Sequence, residues 1–382
     1  MKPNGKISHL LTALIVVALA QTSRSAEGGS DAQRAADAQR AAPQAVAGNA
    51  EEVADRVLLP AMARKQLVGL VLGVVKNGAV ILRKGYGVKS LTAPGAPDAD
   101  TIFYIGSLSK AVTAVGLMRL VEAGSVRLGD PIGKYLPGLP VDWHPITVAQ
   151  FMAHQSGIPP MEKKLPTFEA MIAGAENAPF SFPPGSRQQY NNFNFAVIGK
   201  LIEAVSGKSY LDAMRASVFA PLGMTRTGSG LEDANEATGY RPGSPPAPID
   251  HRIKGGEYGI PSGHLQSTLN DLLSLSVGLL GHALLNAPTT NQMCQRVQPR
   301  FSGTPGWFEE PAGKFPVITK NGATQGFHSI LSFVPKKGDA IVMIWTGQKP
   351  KDNSLARETR VLLNEICGVP VGRDANTGDD DL

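Results

Sequence analysis

The sequence predicts a mixed α/β (α+β) chain: an antiparallel sheet built from both chain ends and flanked by helices, with a mostly helical lobe inserted between its halves. Three observations predict it. Strand character is strong near the start, in VGLVLGVVKNGAVILRKGYGV (68–88), and returns near the end in GFHSILSFVPKKGDAIVMIWTG (326–347). The stretch between, about 107 to 250, reads as helical segments separated by Pro and Gly.

The elements follow in order. Lys2 and Lys6 precede an apolar run from Leu10 to Ala20, with small residues at Ala18 and Ala20, so residues 1–25 read as a signal peptide cleaved after Ala20 or Ser25. A run of eleven residues is too short to span a bilayer, so the expectation is export, to the periplasm, with no stable membrane span after cleavage. No Cys follows the run to accept a lipid. Residues 26–48 repeat DAQRAA and read as a low-complexity linker, residues 49–370 as one domain, and residues 371–382 as a disordered acidic tail.

Within the domain, AEEVADRVLLPAMARK (50–65) has helical spacing. The two strands that follow are joined by Asn77-Gly78, the pair preferred by a type I′ hairpin turn because both central residues need positive φ. SLSKAVTAVGLMRLVEAG (107–124), ITVAQFMAHQSG (146–157), NFNFAVIGKLIEAVSG (192–207) and SYLDAMRASVFAPLG (209–223) supply helices. SLARETRVLLNEICG (354–368) closes the chain with another.

Composition excludes several function classes. The 382 residues are 42% hydrophobic, enough for a substantial core, and the net charge of +5 is dispersed among alternating acids and bases, so nucleic acid is not an expected partner. Cys294 and Cys367 have no zinc-type spacing and are equally readable as a disulfide or as two separate thiols. The seven His residues form neither His-x-His nor His-Glu-x-x-His, so no metal is expected; no cofactor is expected either. SGKS (206–209) lacks the first glycine of a phosphate loop, since position 202 is Ile202, and no Gly-x-Ser-x-Gly elbow occurs. His154 and His328 read as packed or surface residues, with His328 close enough in sequence to the second Lys-Asn-Gly to line a cleft.

Candidate chemistry begins at Ser107 and Lys110, which are three apart at a helix start and so project from one face. A serine hydroxyl needs a base to become nucleophilic, and a partly desolvated amine can serve. Alone, the pair reads far more readily as an N-cap and a solvated lysine than as a nucleophile and its base. Tyr190 and Asn192 stand two apart before a helix, where irregular backbone can aim both at one cavity. A second Lys-Asn-Gly, Lys320 to Gly322, leads toward the strand starting at Gly326.

Taken in this order, SLSK (107–110), YNN (190–192) and KNGATQGF (320–327) resemble the serine β-lactamase and penicillin-binding-protein-like hydrolases, closest to the class C β-lactamase and DD-carboxypeptidase branch. The resemblance implies a serine β-lactamase/DD-peptidase-like fold and acylation of Ser107, with Lys110 and Tyr190 sharing proton transfers. It implies that Asn192 contacts the substrate amide, that Lys320 supports the Tyr190 phenol and attracts a carboxylate, and that the N–H groups of Ser107 and Ala323 hold the oxyanion. Gly322 would let a substrate backbone approach the strand edge. Asn321, also implied to bind substrate, stands where class C enzymes have Thr, and Met161 stands near where they have Gln. The implied substrates are β-lactams or D-Ala-D-Ala peptides, with peptidoglycan as a further partner. A carboxylesterase of the same fold and a non-catalytic peptidoglycan-binding protein are the alternatives.

Overall fold

The computed structural model describes residues 44–92, 95–160, 167–241, 246–249, 257–347 and 354–370. The expected signal peptide, residues 26–43 of the expected linker, Met161 and the expected tail lie outside them. The first helix among the described residues, α1, spans Gln44–Lys65, so residues 44–48 of the expected linker are its opening turn.

Sheet and hairpin form as the sequence leads one to expect. Strands β1 (Leu67–Lys76) and β2 (Ala79–Gly87) are joined by Asn77 at φ 52° and Gly78 at φ 78°, the two positive values of a type I′ turn. The C-terminal half adds β3 (Phe308–Glu310), β4 (Val317–Thr324), β5 (Phe327–Val334) and β6 (Asp339–Gly347). Among the described residues the main sheet runs β2-β1-β6-β5-β4-β3, with every neighbouring pair antiparallel. N- and C-terminal strands meet at β1–β6, so neither half can close the sheet without the other.

Both faces of the sheet are covered, which explains why β1 is a nearly continuous apolar run. Leu70, Leu72 and Val74 point to a core shared with Leu58 and Ala54 of α1 and with Leu362 and Leu363 of the C-terminal helix, Ala356–Cys367. Val71 and Val75 point to a larger core shared with the helical lobe. There α2 (Leu108–Glu122), α3 (Asn192–Ser206) and α4 (Leu269–Leu280) bury Val112, Val115, Phe195, Ile198, Leu269 and Leu273. Cys367 belongs to the first core and Cys294 packs against the second, so the two thiols lie on opposite sides of the sheet and both are free.

One strand differs from the sequence expectation. The second Lys-Asn-Gly does not precede the strand; it lies inside β4, and the chain reverses at Gln325 and Gly326, the latter at φ 75°. Its polar residues hide the alternation, because a buried lysine occupies a position where an apolar residue would signal a strand. β3 pairs only with residues 317–319 of β4, leaving 320–324 without a strand neighbour on that side among the described residues.

Gly322 also has a different reason from the one expected. A Cβ there would stand 2.0 Å from the Ile105 carbonyl oxygen and 2.8 Å from the Leu108 nitrogen, so glycine lets β4 press directly on the start of α2. Gly322→Ala is therefore expected to destabilise the fold by roughly 1–3 kcal/mol, as overpacking does. Urea denaturation checks this, and a midpoint equal to wild type would mean that the strand shifts away at no cost.

Candidate active site

Ser107 occupies the N-cap position of α2, yet its side chain makes no cap hydrogen bond. An ordinary N-cap serine turns its oxygen onto the helix N–H groups. Here Ser107 Oγ instead accepts from the Tyr190 hydroxyl at 2.6 Å and lies 3.2 Å from Lys110 Nζ. The preceding Gly106, at φ 52°, makes the turn into the helix, and a Cβ there would stand 2.7 Å from the Ala323 nitrogen. Ser107 and Ala323 are thus held side by side, both lining one cavity.

Lys110 is completely buried, one helical turn beyond Ser107. Its Nζ donates to Asn192 Oδ1 at 2.7 Å and to the Ser262 carbonyl at 2.5 Å. Burial first, and the like charge of Lys320 second, hold its pKa well below the ordinary lysine range. A neutral amine has two N–H donors and one lone pair. The donors match Asn192 and Ser262, which leaves the lone pair for the Ser107 hydroxyl.

Tyr190 lies in irregular backbone just before α3, whose N-cap is Asn191 and whose first residue is Asn192. The Asn191 side chain accepts from the Phe193 N–H, anchoring the helix start so that Tyr190 and Asn192 both reach the cavity. Lys320, only 1% exposed, places Nζ 4.9 Å from the centre of the Tyr190 ring and 4.5 Å from that of Phe308. The π faces favour a cation there. Lys110 Nζ also stands 4.7 Å from the Tyr190 ring centre.

The structure therefore brings Ser107, Lys110, Tyr190, Asn192, Lys320 and Ala323 into one cluster. Asn321 is not part of it. Strand alternation pairs it with Ile330 of the opposite core and leaves it exposed on the other face of the sheet, so the expected substrate contact through its side chain is corrected. Gly322 faces α2 and not the cavity. His328 likewise turns away and stacks on Trp345, with ring centres 5.6 Å apart; burial lowers its pKa to about 4.

Sequence reasoning missed some participants. The acceptor from Ser262 is a backbone carbonyl on the short helix Ile260–Gly263, so no residue type advertises it. Gly106 could have been found, being a glycine immediately before the candidate nucleophile. The cavity, about 350 Å³, is also walled by Met171, Phe193, Ala196 and Tyr258, scattered residues whose convergence only the fold produces.

The buried amine and the phenol thus converge on the Ser107 oxygen, in a chain that resembles known proteins over most of its length. The sequence profile of the Beta-lactamase family matches residues 54–365. A Beta-lactamase of Escherichia coli (strain K12) is 24% identical, over 79% of this chain and 89% of that one. Protein flp of Staphylococcus aureus (strain N315) is 24% identical over 78% of this chain, which spans only 63% of that longer protein. Among solved structures, the octameric penicillin-binding protein homologue from Pyrococcus abyssi superposes with a TM-score of 0.72 at 24% identity, covering 83% of this chain and 77% of that one.

Proposed function

The chain belongs to the β-lactamase family of serine hydrolases, and on that premise we propose that it forms an acyl-enzyme on Ser107 and acts on β-lactams or D-Ala-D-Ala peptides. The observation that carries this reading is Ser107 Oγ held between Tyr190 Oη and Lys110 Nζ. In the proposed cycle, the neutral amine of Lys110 takes the Ser107 proton as Oγ attacks the substrate carbonyl. The N–H groups of Ser107 and Ala323 donate to the oxyanion. Tyr190 passes its phenolic proton to the leaving nitrogen and recovers one from Lys110. Water then attacks the ester, losing a proton to the same pair, which returns it to Ser107 Oγ as the acyl C–O bond breaks. Asn192 orients Lys110 through the 2.7 Å hydrogen bond and offers its amide N–H to the substrate.

A β-lactam and an acyl-D-Ala-D-Ala peptide present the same acyl chemistry, so the ranking among them depends on deacylation. A second reading, a carboxylesterase of the same fold, is favoured by the apolar cavity walls of Met171, Phe193, Ala196 and Tyr258. Turnover of nitrocefin, a D-Ala-D-Ala peptide and p-nitrophenyl butyrate separates them. Nitrocefin or peptide hydrolysis that disappears in Ser107→Ala supports the main reading, whereas butyrate hydrolysis alone supports the esterase. We also propose export to the periplasm, on the charged and apolar pattern of residues 1–25; no described helix is long and apolar enough to cross a membrane.

A further inference from the structure

We infer that His154 is a positioning residue that clamps Tyr190 in its proton-transfer pose; the inference rests on the reading of Tyr190 given above. Three contacts from this one residue enclose the tyrosine. The His154 carbonyl accepts from the Gln189 N–H at 2.9 Å, and its Nδ1 accepts from the Asn191 N–H at 3.2 Å. These bonds grip the chain on either side of Tyr190, while the imidazole packs on the Tyr190 ring with centres 4.5 Å apart. Phe195 and Phe308 back the imidazole at 5.5 Å and 6.3 Å.

The backbone of His154 is shaped for these contacts. Its φ is 57°, a left-handed conformation in which a Cβ crowds the following carbonyl, so an ordinary side chain disfavours it. The conformation lets one residue present both its carbonyl and its ring to the 189–191 segment. The ring must also stay neutral, because Nδ1 can accept from Asn191 only without a proton. Burial, then the charges of Lys320 and Lys110, lower its pKa well below the usual imidazole range, in keeping with a ring nitrogen that accepts from Asn191. Lys110, Lys320 and Tyr190 are titratable groups that act on or touch the ring. Sequence inspection sees only an isolated histidine in MAHQSG.

A double-mutant cycle tests the clamp. His154→Asn tolerates the left-handed backbone and keeps an acceptor, but loses the ring contact; His154→Phe keeps a ring and loses the acceptor. Each is expected to lower kcat about tenfold on the best substrate of the panel, with KM within about twofold. In a Tyr190→Phe background, His154→Asn is expected to cost nothing further, since its effect acts through Tyr190. The same tenfold loss in that background would overturn the proposal, as would wild-type kcat in folded His154→Asn. Should no panel substrate be turned over, the substrate reading fails, and the rate of Ser107 labelling by a fluorophosphonate serves instead. Labelling about tenfold slower in His154→Asn supports the clamp, and an equal rate overturns it.

Discussion

Ser107→Ala is expected to abolish turnover, by roughly 10⁴-fold or more, while leaving stability unchanged. A nucleophile that acts as a unit with its base cannot be replaced by either partner alone, so nearly the whole chemical contribution goes with it. The stability half of this expectation is the unusual one. Replacing an N-cap serine by alanine ordinarily costs about 1 kcal/mol because a helix N–H loses its acceptor. At α2 no such bond exists, since the hydroxyl is turned toward Tyr190 and Lys110. A thermal melt should therefore overlay wild type, whereas a loss of about 1 kcal/mol would mean that the hydroxyl caps the helix after all.

Lys110→Met should lower kcat by roughly 10³-fold, in keeping with the loss of a general base. It should also change how stability depends on pH. Because burial depresses the folded-state pKa of Lys110, the unfolded chain binds more protons between that lowered value and the unfolded value of about 10.4. Wild-type stability should then rise with pH across that window and fall as pH drops toward the folded pKa. Below it, the full cost of burying an ammonium is present. The Met variant has no group to titrate there and should lack this slope. Chemical denaturation at several pH values checks it, and parallel wild-type and variant profiles would show that Lys110 stays charged when folded. The rate should show the same titration, with wild-type kcat/KM falling as acid protonates the amine.

Much of the fold was legible because its signals are local. The Asn77-Gly78 turn needs only two residues able to adopt positive φ, and the apolar runs beside it announce strands without reference to anything distant. β4 was not legible. Lys320, Asn321 and Gly322 read as a lead-in to the strand starting at Gly326, and only pairing with β5 and the pressure of α2 explain a buried lysine and a bare glycine in a strand of their own. The same tripeptide thus serves as a turn at 76–78 and as a strand at 320–322, decided by partners rather than composition.

The sequence by itself determined the order of the three motifs, the sheet drawn from both chain ends and the identity of the reactive groups. Tertiary structure alone decided what those groups can do. Tyr190 reaches Ser107 across 83 positions and Asn192 reaches Lys110 across 82, distances over which no periodicity carries information. Burial lowers the pKa of Lys110, the base of the proposed cycle, alternation turns Asn321 away from the cavity, and packing sets the His154 ring against Tyr190. Each outcome depends on desolvation or close contact between distant segments, and these arise only once the chain has folded.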